Sequence, residues 1–476
     1  MSVKNQHPEY SANIDKWRKY RDAAEGEDAV KAAGARYLPK RSTKQTSDEY
    51  DAYKQRAMYF NATGRTVDGL VGLMFRRDPD ITAPESMAEL IEDVTQDGVS
   101  FDELIKHAAT DSVTVGRGGV IVDFPPNLAA ENLQDYLANG ARPYATYYPA
   151  ESIINWDTAR IGGRIVPSLV VLSETYSIES ADEFEKKEAP QYRVLDLSEG
   201  KYRQRVFHKA VNNKLTNDDW IVVEEYFPTM NGKPLRYIPF EFLGPVDGRP
   251  RVQKSPIADL ATVNLSHYRT MADLENGRHW CGSPTPIFSG DFVSDDGDEV
   301  TVVRLGSETG IHMTTGSEAK YMEFTGSGLS ELSGAELQKR EMMALLGSRI
   351  LAAEKRQAEA AETARIHRAG EESTLASIAQ SLSKAATRIL GYLRDWSGAT
   401  GDVSVEINTD FVPTEMTSQE LQTTVMAWQA GAFTTAELFQ RLKQGELIRA
   451  DKTLEEHEDE IASQGPALGT IGDAGI

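Results

Sequence analysis

Cysteine is nearly absent. Cys281 is the only one in 476 residues, which excludes an intrachain disulfide framework and implies synthesis and assembly in a reducing compartment. Long apolar runs are missing too. The best stretches, VGLMF and GGVIVDF, are far shorter than the roughly 18 residues a membrane-spanning helix needs, and the start MSVKNQHPEY has no secretory apolar core. A soluble protein without a membrane partner is expected. No GxxxxGK[ST] loop occurs, so the amide cradle and lysine of a P-loop ATPase are not there. The eight histidines form no HExxH or similar local pair, which argues against zinc. Cationic excess is also lacking: 51 Lys and Arg against 73 Asp and Glu give a net charge of −22. That is the wrong sign for a surface that coats nucleic acid by displacing counterions. An acidic wall does allow DNA to pass without sticking.

Apolar residues at 40% and charged residues at 26% are ordinary for a globular chain, and the length suits about three domains or one elongated multi-part subunit. The first 45 residues read as polar and interrupted, with ARYLPKRSTKQTSDEY a linker into a helix from about Ser47 to Arg77, stopped at Asp78-Pro79. A second helix starts near Ser100 and uses Phe101, Leu104, Ile105 and Ala108, after which VTVGRGGVIVDFPP has strand composition. Residues 141–245 read mainly as strands and turns, with turn signals at Ser198-Glu199-Gly200 and Asn231-Gly232.

At Ser255-Pro256 the character changes. Ser suits a helix cap and Pro the first helical position, so SPIADLATVNLSHYRTMADLENGRHW reads as one helix. Its roughly 25 residues would extend about 38 Å. Ile257, Ala261, Leu265, Tyr268 and Ala272 mark one apolar face and Leu260, Val263, Met271 and Leu274 another, which predicts neighbours on two sides. A Gly-, Ser- and Thr-rich β insert of about 50 residues follows. Ser333 with Glu336 has capping-box spacing and opens a return helix to about Leu346. The steps Leu375, Ile378, Leu382, Ala385, Ile389, Leu393, Trp396 mark a long amphipathic helix. VSVEINTDF then alternates as a strand, and Thr417 with Glu420 and Thr434 with Glu437 begin two short helices broken at Gly431, ahead of a disordered tail from about Ser463.

Several chemical signals have ordinary readings. Asp295, Asp296, Asp298 and Glu299 offer hard-cation ligands, but Gly297 is misplaced for an EF-hand, so a solvated turn is expected. GSGLSELSG at 326–334 lacks the strand and acidic residue of a dinucleotide site and reads as a loop. Cys281 beside His279 reads as a buried structural cysteine, because two residues apart on a helix the pair faces different directions. Residues 417–444 have a helix-turn-helix outline with too few cations for groove reading. His457, within EEHEDE, reads as a solvated face.

The stretch GSRILAAEKRQAEAAETARIHRAGEESTL, residues 347–375, gathers Lys355, Arg356, Arg365 and Arg368 with no core-facing stripe before Leu375. The order of long helix, β insert, capped return helix, charged Ala-rich junction and second long helix resembles the central part of tailed-bacteriophage portal proteins. The strand VSVEINTDF followed by AWQAGAFTTAELFQRLKQGELI is similar to the end of those proteins. The resemblance implies an elongated α+β subunit that assembles into a ring, usually of twelve copies. It divides the chain into an amino-terminal wing (1–254), first stem helix (255–281), clip (282–330), second stem helix (331–350), tunnel-loop region (351–362), long wing helix (363–400), and carboxy-terminal wing with a short crown or tail (401–476).

It further implies a virion protein at one capsid vertex, assembled in the host bacterial cytoplasm, without cofactor or enzymatic activity. Double-stranded DNA would pass through it, with terminase, the major capsid protein and tail adaptor proteins as partners. On this reading Lys355, Arg356, Arg365 and Arg368 ring the channel, and Asp295, Asp296, Asp298, Glu299 and Arg304 on the clip meet motor and adaptors. Two alternatives stand beside it. Glu354, Glu359 and Glu362 can pair with the nearby cations along a helix surface, and the acidic clusters can be those of a metal-dependent phosphodiesterase or similar hydrolase.

The purified protein is expected to hydrolyse neither ATP nor DNA. Turnover that survives repurification and vanishes on Cys281→Ser or on metal removal would contradict this.

Overall fold

The computed structural model describes residues 3–125, 142–178, 182, 184–209, 220–230, 232–282, 285–289, 315–322, 327–351, 374–411, 418–429, 432–444, 447–448 and 452–463. Helices and antiparallel sheets segregate along the chain, an α+β architecture.

The linker expected before Ser47 is a loop over 37–46, but the residues ahead of it are core-forming helix and not interrupted polar chain. Helix α1 (Pro8–Glu25) and the short α2 (Glu27–Ala32) supply it. His7 caps α1, its Nδ1 accepting from Glu9 N at 3.2 Å, with Pro8 at the first helical position. Tyr10, Trp17, Tyr20 and Ala23 are buried, as are Tyr37 and Leu38 in the loop beyond. Arg21 clamps Asp111 at 2.6 Å and Glu151 at 2.5 Å, pinning α1 to the rest of the body. One large apolar residue per turn among charges makes a faint stripe, and it suffices.

The helix expected over 47–77 is two helices, α3 (Ser47–Arg56) and α4 (Ala62–Met74). Thr46 and Glu49 form a full capping box on α3. Asn61 makes the break, its Oδ1 accepting from Gly64 N at 2.8 Å and its Nδ2 donating to Ala24 O at 3.0 Å. A Cβ on Gly64 would lie 2.2 Å from Ala24 O, so only glycine lets α4 approach α1 this closely. Strand β1 (Asp80–Thr82) and the short α5 (Ala88–Glu92) lead to α6 (Phe101–Thr114), opened by Ser100 and Glu103 at the start expected for it.

Strand β2 (Gly118–Asp123) is buried throughout and pairs with β3 (Tyr144–Pro149). A five-stranded antiparallel meander comes next: β4 (Ile153–Ile161), β5 (Arg164–Ile178), β6 (Lys187–Ser198), β7 (Lys201–Lys209) and β8 (Trp220–Tyr226), neighbours in that order. The β6–β7 hairpin turns on Glu199 at φ 51° and Gly200 at φ 75°, the two left-handed residues of a type I′ turn. Two-residue strands β9 (Thr229–Met230) and β10 (Lys233–Pro234) pair across Gly232, and β11 (Phe240–Leu243) completes the three-stranded sheet beside β2.

Helix α7 (Ala258–Gly282) leaves the body. The hairpin of β12 (Thr285–Ser289) and β13 (Glu318–Met322) follows, then α8 (Ser327–Leu351) returns. The segment 326–334 is therefore not a loop: from Ser327 it is helix, and Ser333 and Glu336 lie inside α8 instead of capping it. Its first turns are held because Leu329 packs over Gly277 of α7, where a Cβ would come within 2.5 Å.

Helix α9 (Thr374–Ser397) carries the expected stripe. Leu375, Ile378, Leu382, Ala385, Ile389 and Leu393 are all buried against α4, α6, β11 and β14, while Trp396 is half-buried. Strand β14 (Ser404–Glu406) pairs with β1, with Ile81 opposite Val405, and so ties the two ends of the body together. It is shorter than VSVEINTDF, although Val405 and Ile407 keep the alternation and are buried. Helices α10 (Ser418–Gln429), α11 (Thr435–Gln444) and α12 (Leu454–Ser463) end the described chain. Thr434 caps α11 with Glu437 as expected. Thr453 and Glu456 do the same for α12, a helix that sequence patterning does not single out. Thr417, Gly431 and the tail after Ser463 lie outside the described residues.

A largely enclosed ion pair locks the meander. Glu174 on β5 accepts from Arg193 Nε at 2.7 Å, from Gln191 Nε2 at 2.5 Å and from Tyr148 OH. Burial pushes the Glu174 carboxyl up, but the Arg193 charge and these hydrogen bonds outweigh it and hold it below the ordinary glutamate range. Its contribution to stability is therefore complete above the unfolded value of about 4.3 and is lost as pH falls through the lower folded value. Glu174→Gln is expected to cost about 2 kcal/mol near neutrality, because it takes the counter-charge from a mostly enclosed guanidinium. In denaturant titrations the gap to the parent should narrow as pH drops below about 4. A gap independent of pH would contradict this assignment.

Candidate assembly surface

The side chains singled out by sequence lie in two segments, and both fall outside the described residues. Lys355, Arg356, Arg365 and Arg368 are in one, and Asp295, Asp296, Asp298, Glu299 and Arg304 in the other. What the structure does describe is the helix pair that frames them.

Ser255 starts α7. Its Oγ accepts from Ile257 N at 3.2 Å and donates to Thr114 O at 2.7 Å, so the helix is anchored on the end of α6. Both apolar faces are buried except at Val263, which is half-buried. Between them runs a line of polar residues, each with a partner. Towards the body, Asn264 Oδ1 accepts from Thr63 N at 3.0 Å, Asp273 accepts from Tyr53 OH at 2.7 Å, and Asn276 accepts from Arg56 at 3.2 Å. Towards α8, His267 Nε2 lies 3.1 Å from Glu336 Oε1. Lys339 Nζ donates to Thr270 Oγ1 at 2.5 Å and to Ser266 O at 3.2 Å. Burial, then repulsion from Arg269, pushes the Lys339 ammonium below the usual lysine range.

These contacts set 266–270 against 336–339 and Gly277 against Leu329, so the two helices run antiparallel. Directional hydrogen bonds also fix their register, which leucine packing alone leaves free to slide.

Only Met343 of α8 is fully buried among its described side chains. Opposite the α7 contact, Leu337, Met342 and Leu345 are 47%, 50% and 51% exposed. Leu337 and Leu345 stand two turns apart on one face, with Met342 beside them. Trp280 at the end of α7 and Tyr321 on β13 are exposed as well. Large apolar side chains left exposed along one helix in this way make α8 a candidate interaction surface. The spacing of these residues is visible in the sequence, but a helix with apolar residues on more than one side does not reveal which side its own chain covers.

Cys281 is exposed at the end of α7 and not buried, because the helix has by then cleared the body; His279 and Trp280 are exposed with it. His457 is half-buried and packs on Phe439 with ring centroids 5.1 Å apart, so it does not lie on a solvated face. Among the described residues no group of three His, Cys, Asp or Glu side chains is placed to hold a metal ion, and no helix is long and apolar enough to cross a membrane.

Residues 256–397 match the family described as "Domain of unknown function (DUF4055)". They span α7, the hairpin, α8 and α9. No curated protein matches the chain. Among solved structures, a chain from the virion of a native gene transfer agent particle is 12% identical with a TM-score of 0.35, covering 89% of this chain and 99% of that one. A chain from the neck of the native particle computed with C12 symmetry is 11% identical with a TM-score of 0.36, covering 81% and 89%. One from the neck of the empty particle computed with C6 symmetry is 13% identical, also at 0.36, covering 81% and 90%. TM-scores this low establish neither the role of the chain nor its assembly.

Leu337→Lys combined with Leu345→Lys is expected to leave the chain folded, since exposed substitutions change stability by about 0.5 kcal/mol or less. Self-association should be lost, so that light scattering reads the 52.6 kDa of one chain. A variant that associates like the parent would show that this face is not an interface.

Proposed function

We propose that the chain is one subunit of a portal-type ring at a capsid vertex, through which double-stranded DNA is packaged and later leaves. The observation that carries this reading is the antiparallel α7–α8 pair, rooted in the body, joined through the paired strands β12 and β13, with Leu337, Met342 and Leu345 exposed on its outer side. Such a pair resembles a portal stem, and those exposed side chains give each copy a surface to pack against the next. A closed cyclic arrangement satisfies every such face, whereas a single subunit leaves it in water.

In this role the protein performs no chemistry of its own. Terminase supplies the energy, the major capsid protein holds the rim, and tail adaptors dock once packaging ends. The acidic charge of the chain keeps the channel wall from gripping a polyanion. Lys355 and Arg356 in the junction between α8 and α9 supply rings of cations that centre a duplex carrying about one charge per 1.7 Å of axis.

The test is Lys355→Ala with Arg356→Ala. The ring should assemble with unchanged mass, because exposed charges contribute little to stability. DNA-filled capsids should fall sharply in number or leak. If packaging is normal in this variant and also in Arg365→Ala with Arg368→Ala, the junction does not face DNA.

A further inference from the structure

We infer that the free edge of β8 pairs with the free half of β4 in the next copy of this chain, so that the five-stranded sheet continues from subunit to subunit. This rests on the ring reading and adds a second contact to it, remote from the α7–α8 pair.

Strand β8 is the last strand of the meander and, among the described residues, pairs only with β7. Its Ile221, Val222 and Val223 are 46%, 45% and 42% exposed. Neighbouring residues of a strand point to opposite faces, so both faces of this edge are apolar. Soluble proteins guard such edges with lysine, proline or a bulge. The sequence WIVVEEY contains no lysine or proline, and its one bulge, at Val223, leaves Trp220, Ile221 and Val222 in register with β7. The guard on this edge is therefore partial.

The opposite edge is half covered. His7 N donates to Ile154 O at 2.9 Å, closing the start of β4, while Asp157, Thr158, Arg160 and Ile161 at its end are exposed. Five strands, each antiparallel to its neighbour, leave β4 and β8 running the same way. A head-to-tail junction is then parallel, and the carboxy-terminal ends of the two strands meet. Those ends are complementary. Glu224 on β8, and Arg160 and Arg164 flanking the β4–β5 turn, are exposed and make no ion pair among the described residues. Beyond the charges, exposed Phe227 follows β8, and exposed Ile161 and Ile165 flank the same turn. A heterologous contact of this kind closes into a ring under rotation, whereas β8 against β8 of a two-fold partner sets no cation opposite Glu224.

Three full-length variants test this, each followed by mass against protein concentration: Glu224→Arg, Arg160→Glu, and the two together. Each single reversal should raise the concentration for half-assembly by about tenfold or more, at the low end for a close interfacial charge pair, and the double variant should return close to the parent. Assembly unchanged in all three, or singles weakened without rescue, overturns the sheet contact while leaving the ring reading intact. A parent that is monomeric throughout overturns both. Val222→Cys alone giving a disulfide-linked dimer in a Cys281→Ser background assigns the edge to two-fold pairing and also overturns the inference.

Discussion

Helix α7 has to satisfy two environments along its 25 residues. From Ala258 to Asn276 it is enclosed by the body on one side and by α8 on the other, and beyond Gly277 it stands in solvent. A helix with apolar residues on two sides is stable only if both are covered. The body covers one face through Ile257, Ala261, Leu265, Tyr268 and Ala272, which belong to the large helical core. The polar line from Asn264 to Asn276 then decides where α3, α4 and α8 sit. Removing α8 would strand His267, so the two helices behave as one element. The hairpin of β12 and β13 is consequently carried away from the body at their far end.

How legible each segment is in the sequence depends on how strongly it repeats. Helix α9 steps by three or four residues over six intervals with nearly all of its apolar positions buried, and its stripe and carboxy-terminal end are readable almost to the residue. The capping boxes at Ser100 and Thr434 are local hydrogen-bond patterns, and local patterns survive tertiary context. Helix α1 escapes a sequence reading because its burial relies on Arg21 bridging Asp111 and Glu151, residues 90 and 130 positions away. The break between α3 and α4 escapes it because Asn61 acts through Ala24 O, a partner no local window contains. Ser333 and Glu336 have the spacing of a cap, yet Glu336 faces His267 and the helix has already begun. Of the candidate site, the frame is legible and the exposed face of α8 is not, since exposure depends on which neighbour takes which side.

Charge in the body is largely matched internally. Arg21, Arg193, Arg203 and Arg205 each pair with carboxylates that are no more than about a quarter exposed. Those cations serve the fold and not a ligand. The chain as a whole carries a net charge of −22, which on the proposed function suits a polyanion in transit better than one held in place. Among cationic stretches the junction at 347–375 is different, because its sequence offers no apolar stripe to bury before Leu375.

Self-assembly into a closed ring is the central claim, and native mass spectrometry of the purified full-length chain addresses it most directly. The account predicts one dominant species whose mass is a single integral multiple of 52.6 kDa, with no open-ended ladder above it. A chain that stays at the mass of one subunit at every concentration would contradict it.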